Sequence, residues 1–193
     1  MAVAYVVRCN FNEPGKEDAW NDWYNGPKLK QMLAKPHFLT GQRFLRTAGT
    51  GRDYLAFWTL ESEAAFETPE YKNDWGFFEW RPFIIDWSRD LFAGEAGATL
   101  SAPRVGENQV IRLVSFEGMA DAQAEDARRL VDQARPGTTW LRSIGLDRHT
   151  PLFGFSVEEG AAPAPALPGV HEVFYRPICP LGVTEDQAGV APG

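Results

Sequence analysis

"AYVVRCNF", residues 4–11, alternates its side chains: Tyr5, Val7, Cys9 and Phe11 on one side, Arg8 and Asn10 on the other. A period of two is that of a β-strand with one apolar face. "QVIRLVSF", residues 109–116, repeats the rhythm, with Arg112 standing where Arg8 stands. The reading of these two stretches as first strands of two like units decides the fold.

Outward from the first stretch, Pro14-Gly15 turns the chain. Helical spacing follows from Lys16 to about Lys35, through Trp20, Trp23, Tyr24, Leu29, Met32 and Leu33, and Pro36 stops it. Gly26-Pro27 interrupts that helix with a kink or break, because proline cannot continue the hydrogen-bond ladder. "FLTGQRFLR" and "YLAFWTL" read as strands around the turn Gly49-Thr50-Gly51-Arg52-Asp53. Ser62 caps a second helix running to about Asp74, and "FIIDWSRDLF" is a fourth strand. The order is βαββαβ.

Outward from the second stretch, Asp121 to Ala134 is a helix with Ala127, Leu130, Val131 and Ala134 at core spacing. "TTWLRSIGL", "LFGFSV" and "HEVFYRPI" are strands. "EEGAAPAPALPG" lies where a second helix belongs and is too rich in proline and glycine to form one. The fold class is therefore α+β: two tandem ferredoxin-like units, the second lacking its second helix. Each sheet has one bare face, so the two pair sheet to sheet as an intrachain α+β barrel with helices outside. The divisions are 1–93 for the first unit, 94–108 for a linker, 109–180 for the second unit and 181–193 for a tail.

Composition narrows function. The 193 residues are 44% hydrophobic and 23% charged, with a net charge of -7. That balance argues against a nucleic-acid partner, which selects a basic stripe. No run of about 18 apolar residues is present to span a membrane. The first residues lack the basic-then-apolar order of a signal peptide, so a cytoplasmic location is expected. Cys9 and Cys179 lie in strand patterns without metal-ligand spacing and read as reduced, buried thiols. No Gly-rich phosphate loop, nucleotide fingerprint or G-x-S-x-G elbow is present.

The segment "WNDWYNGPKLKQMLAKPHFLTGQRF", followed by "YLAFWTLESEAAFETPEYKNDW", resembles the dimeric α+β barrel superfamily, including its EthD-like and stress-responsive branches. The superfamily pattern runs W-x-x-W-Y, a polar pair, a His, L-L-x-x-P-G-F, then an arginine-bearing strand. The resemblance covers residues 4–92 well and the rest by element order alone. Three positions depart from it: Lys28 stands where many relatives carry His, His37 where most carry Gly, and Tyr71 where cyclase-like members carry His.

The resemblance implies an elongated apolar pocket between sheet and helices, suited to flat hydrophobic ligands. The catalytic candidates are His37, Tyr71 and Arg8. His37 has the intrinsic pKa for acid–base work near neutrality. Tyr71 can donate to a developing oxyanion. Arg8 can clamp a carboxylate or enolate, or else form a structural ion pair with Asp86 or Glu172. Asn10, Tyr24, Trp20, Trp75, Phe78 and Trp80 are candidate substrate-binding residues, although the aromatic run Trp75–Phe83 also suits plain packing. His149 and His171 are weaker candidates.

These residues predict cofactor-independent proton-transfer chemistry of lyase, decarboxylase, cyclase or isomerase type. The substrate would be aromatic or polyketide-like, with an anionic group. The alternatives are a cofactor-free quinol-type monooxygenase, a haem-binding barrel using His37 or His171, and a non-enzymatic binding module. No metal is expected. A homodimer would cover the aromatic connector.

Overall fold

The computed structural model describes residues 1–95, 100–160, 167 and 170–184. The strands are β1 (Val3–Phe11), β2 (Phe38–Gly49), β3 (Tyr54–Leu60), β4 (Ile84–Gly94), β5 (Gln109–Ser115), β6 (Thr139–Leu146), β7 (Leu152–Glu159), β8 (His171–Pro177) and β9 (Gly182–Val183). The helices are α1 (Glu17–Trp23), α2 (Leu29–Leu33), α3 (Pro69–Lys72) and α4 (Asp121–Ala134).

All pairings are antiparallel, in the order β3-β1-β4-β6-β7-β5-β8-β2-β9, and a β2–β3 pairing closes the first eight into a barrel. The fold is thus α+β with a closed antiparallel barrel and few helices. The two halves do not stack as separate sheets. They are joined edge to edge through β4–β6 and β2–β8 hydrogen bonds, which leaves few free edges.

Closure explains why the strands are buried on both faces. Val6, Phe44, Leu55, Phe57, Phe92, Ile111, Leu113, Phe153 and Tyr175 fill the barrel. Val3, Tyr5, Val7 and Cys9 point outward beneath α1, α2 and α3, and Val114, Phe116 and Leu152 lie beneath α4. The stretch expected as a linker supplies Leu100 and Val105 to the barrel interior. Gln42 donates to the Val105 carbonyl at 3.0 Å, tying that stretch to β2.

Two helices differ from expectation. The long first helix is α1 and α2 joined by a π-helical turn, Tyr24–Lys28, with Pro27 inside it. The wider turn reroutes the ladder around a residue that has no N–H to donate. It also carries both Tyr24 and Lys28 inward, where both are buried. The second helix shrinks to a 3₁₀ stretch, Glu63–Glu67, and the short α3. Thr68 caps α3 by accepting from the Tyr71 N–H at 3.2 Å, and Pro69 occupies its first turn. In the second half α4 has its expected span. Most of the proline-rich stretch after β7, and the tail from residue 185, lie outside the described residues, while β9 is an unforeseen addition to β2.

Candidate active site

Between the outer face of the first-half strands and its helices lies a narrow cavity of about 30 Å³. Tyr5, Val7, Trp58 and Trp87 form its strand wall, and Tyr24, Lys28, Met32, Tyr71 and Trp75–Phe77 its helical side. An outer, more open groove of about 370 Å³ is lined by Trp23, Pro27, Lys28, Gln31, Asp74, Phe78 and Glu79. Lys28 borders both spaces.

Lys28 is 3% exposed. Its Nζ donates to Gln31 Oε1 at 3.1 Å and lies 4.8 Å from the Phe78 ring centroid. Among the described residues no carboxylate pairs with it. Gln31 in turn donates to Asp74 Oδ2 at 2.6 Å, and Lys35 Nζ donates to the same oxygen at 3.2 Å. Burial, then the nearby Lys35 charge, bring the Lys28 ammonium down to about 8, against a smaller opposing pull from Asp74. Near neutral pH a fraction of this amine is therefore free base.

The strand wall and the helical side are linked by the Tyr5–Tyr71 hydroxyl pair, 3.2 Å apart. Burial raises both phenols above their usual range, so both are protonated donors. For Tyr71 the Tyr5 hydrogen bond and the Arg89 charge act in the opposite direction. The Tyr71 ring stacks on Trp75, and the Arg89 guanidinium lies 4.6 Å over the same indole. Tyr24 is likewise pushed up by burial, despite the Arg43 guanidinium 4.1 Å from its ring. Arg43 is 1% exposed and caged by Trp20, Tyr24 and Tyr54. It donates to Asn25 Oδ1 at 2.7 Å and Asn21 Oδ1 at 3.0 Å. Amide oxygens thus replace the carboxylate a buried guanidinium usually finds.

The structure does not bring the three catalytic candidates together. Tyr71 lines the cavity. Arg8 is 5% exposed and turns toward the barrel side of β1, where it pairs with Glu117 at 2.7 Å and Asp90 at 3.3 Å. The expected partners belong elsewhere: Asp86 pairs with Arg52 and Glu172 with Arg112. His37 is a turn residue at φ 68° before β2, its Nδ1 2.7 Å from Glu61 Oε2, at the edge of a separate open groove.

Of the expected binding residues, Tyr24 and Trp75 line the cavity and Phe78 the outer groove. Trp20 is wholly buried and stacks on Phe11 at 4.7 Å. Trp80 packs on Trp23 and Phe11. Asn10 accepts from the Asp53 N–H at 2.7 Å. Tyr5, Met32, Trp58, Trp87 and Arg89 were not foreseen, whereas Phe77, within the aromatic run, lines the cavity. The signal for Arg89 was present in the alternation of "FIIDWSRDLF", since Arg89 pairs across the ladder with Val7 on the outward face.

Among the described residues no group of three or more His, Cys, Asp or Glu could hold a metal ion. Nor do the histidines suit haem at this cavity. His37 sits at the separate groove, His149 lies 3.4 Å from Asp90, and His171 Nδ1 lies 3.4 Å from Ser115 Oγ. The cavity lining offers no imidazole to an iron. No described helix is long and apolar enough to cross a membrane.

No family model matches this sequence, and no curated protein matches it either. Solved structures do. An "anthrone oxidase-like protein" aligns with a TM-score of 0.61 at 10% identity, over 99% of this chain and 97% of the other. A "putative monooxygenase" from Lactobacillus acidophilus NCFM aligns at 0.52 and 10% identity, over 95% and 97%. Another from Fusobacterium nucleatum aligns at 0.51 and 11%, over 92% of each chain. A "putative chlorite dismutase" aligns at 0.50 and 8%, over 92% and 94%. The expectation of lyase, cyclase or isomerase chemistry is corrected here. These proteins carry oxidase, monooxygenase and dismutase names, and none of the four is named for lyase, cyclase or isomerase chemistry. At such identities the likeness fixes architecture: the chain has the ferredoxin-like α+β barrel fold that these oxidase- and monooxygenase-named proteins share.

Proposed function

We propose that the protein is an oxidase or monooxygenase that uses dioxygen on an electron-rich phenolic or anthrone-like aromatic. The observation that carries this reading is the buried Lys28 amine, without a carboxylate partner, at the edge of an aromatic cavity that also holds two phenolic donors. The names of the similar structures support the oxidative direction.

The flat ring lies in the outer groove against Trp23 and Phe78, with its reacting edge turned past Lys28 toward the cavity. Free-base Lys28 takes the acidic proton of the substrate. The Tyr71 hydroxyl, accepting from Tyr5, donates its own proton to the oxyanion that develops, in a site where burial strengthens such bonds. The electron-rich anion then reduces dioxygen. For an anthrone-type methylene the balance is one CH₂ and one O₂ giving one C=O and one H₂O. Lys28 returns its proton to the departing oxygen. His37 and Arg8 have no part in this route.

We infer further that the two halves are copies of one unit. Support comes from the shared strand order, β2-β3-β1-β4 in the first and β6-β7-β5-β8 in the second.

The test is oxygen uptake with anthrone and with a substituted hydroquinone, for the native chain and for Lys28→Met and Tyr71→Phe. Uptake above the buffer rate that falls in both variants is expected. Absence of uptake with either substrate, or full rates in both variants, would overturn the reading.

A further inference from the structure

The outer groove and Lys28 together have the makings of a second kind of site, one that captures carbonyl compounds covalently. Four features of the geometry matter. Among the described residues the amine has one hydrogen-bond acceptor, Gln31 Oε1 at 3.1 Å. Among the described residues no carboxylate sits on it. It faces Phe78 at 4.8 Å and lines a groove whose volume of about 370 Å³ admits one aromatic ring. The groove's walls pair apolar faces, Trp23, Pro27 and Phe78, with two acids, Asp74 and Glu79.

We propose that Lys28 forms a reversible imine with aromatic aldehydes bound in the outer groove, preferring neutral hydroxyl-bearing rings over anionic ones. The amine lone pair adds to the carbonyl carbon and a C–N bond forms. The carbonyl oxygen leaves as water, taking both amine protons, and a C=N bond remains. A desolvated lysine in an apolar wall is the setting in which such amines react. The acids set the selectivity. Asp74 and Glu79 accept hydrogen bonds from a ring hydroxyl and repel a ring carboxylate. This inference stands apart from the oxidative reading, since it needs no oxygen and no turnover.

The experiment is reductive trapping under nitrogen at neutral pH. The native chain is incubated with 4-hydroxybenzaldehyde and sodium cyanoborohydride, whose hydride converts the imine to a stable secondary amine. Peptide mass spectrometry then locates the added arylmethyl group. Lys28 should be labelled first, and 4-carboxybenzaldehyde should label it at least roughly tenfold more slowly, the equivalent of about 1.4 kcal/mol of repulsion. Lys28→Arg, which keeps the charge and the stem, should lose the fast label, and circular dichroism checks that it is folded. Labelling spread over surface lysines without preference for Lys28 would overturn the proposal. So would an undiminished fast label in Lys28→Arg, or equal rates for the two aldehydes. Because oxygen uptake is read separately, failure here and failure of the oxidative reading are distinct results.

Discussion

Replacing Lys28 by methionine tests the electrostatics of the cavity without any substrate. In the folded chain burial holds this amine at about 8, against an ordinary 10.5. Between those two values the unfolded chain binds the proton and the folded chain does not, so folding stability rises with pH across that window. Below about pH 8 the folded chain carries the full penalty of a buried ammonium. Moving from 10.5 to about 8 corresponds to a ceiling of about 3 kcal/mol. Methionine matches the stem in length and has no charge to bury. Lys28→Met should therefore be more stable than the native chain at pH 7 by about 2–3 kcal/mol, after allowance for the lost bond to Gln31. The advantage should shrink toward zero by pH 10. Urea unfolding of both proteins at half-unit steps from pH 6.5 to 10 measures it, and the quantity to read is the difference between the two curves. A difference that stays flat across the window, or a variant less stable at pH 7, would refute the account of Lys28 as a desolvated amine.

Arg8→Ala should destabilise the chain by about 3–5 kcal/mol, because it strips the wholly buried Asp90 of its guanidinium. Any activity it loses should track the unfolded fraction seen by circular dichroism, and an Arg8→Ala protein that is fully folded yet inactive would put Arg8 back among the reacting groups. Gly41→Ala should cost about 1–3 kcal/mol in denaturant melts, since the added Cβ falls 2.3 Å from the Trp58 ring on the neighbouring strand. Tyr71→Phe should lose about 1 kcal/mol of stability with its bond to Tyr5, and about 100-fold in kcat for oxygen uptake. A loss in KM alone would reduce Tyr71 to a packing contact.

β1 and β5 were legible because each carries a period of two, and α4 because Ala127, Leu130 and Val131 keep helical spacing between clear stops. The second helix was overread. Its composition suits a helix, but the cavity wall needs Tyr71 and Trp75 as a short capped turn and a loop, and tertiary packing outweighed propensity. The site was half legible. Tyr24, Tyr71, Trp75 and Phe78 were named from the sequence, while Arg8, rightly read on the face opposite Tyr5 and Val7, lies in ion pairs on the barrel side and away from this cavity. A period-two pattern says which residues share a face, and only the closed barrel says which face meets the helices.

By itself, then, the sequence determined the local elements, their order and the amphipathic faces that had to be covered, because these follow from side-chain periodicity and from proline and glycine chemistry. Tertiary structure alone decided how those faces were assigned. Edge-to-edge closure turned Arg8 toward Asp90 and Glu117, and the π-turn at Pro27 carried Lys28 inward. Removal from water, which no single strand or helix can impose, then lowered that ordinary lysine's hold on its proton.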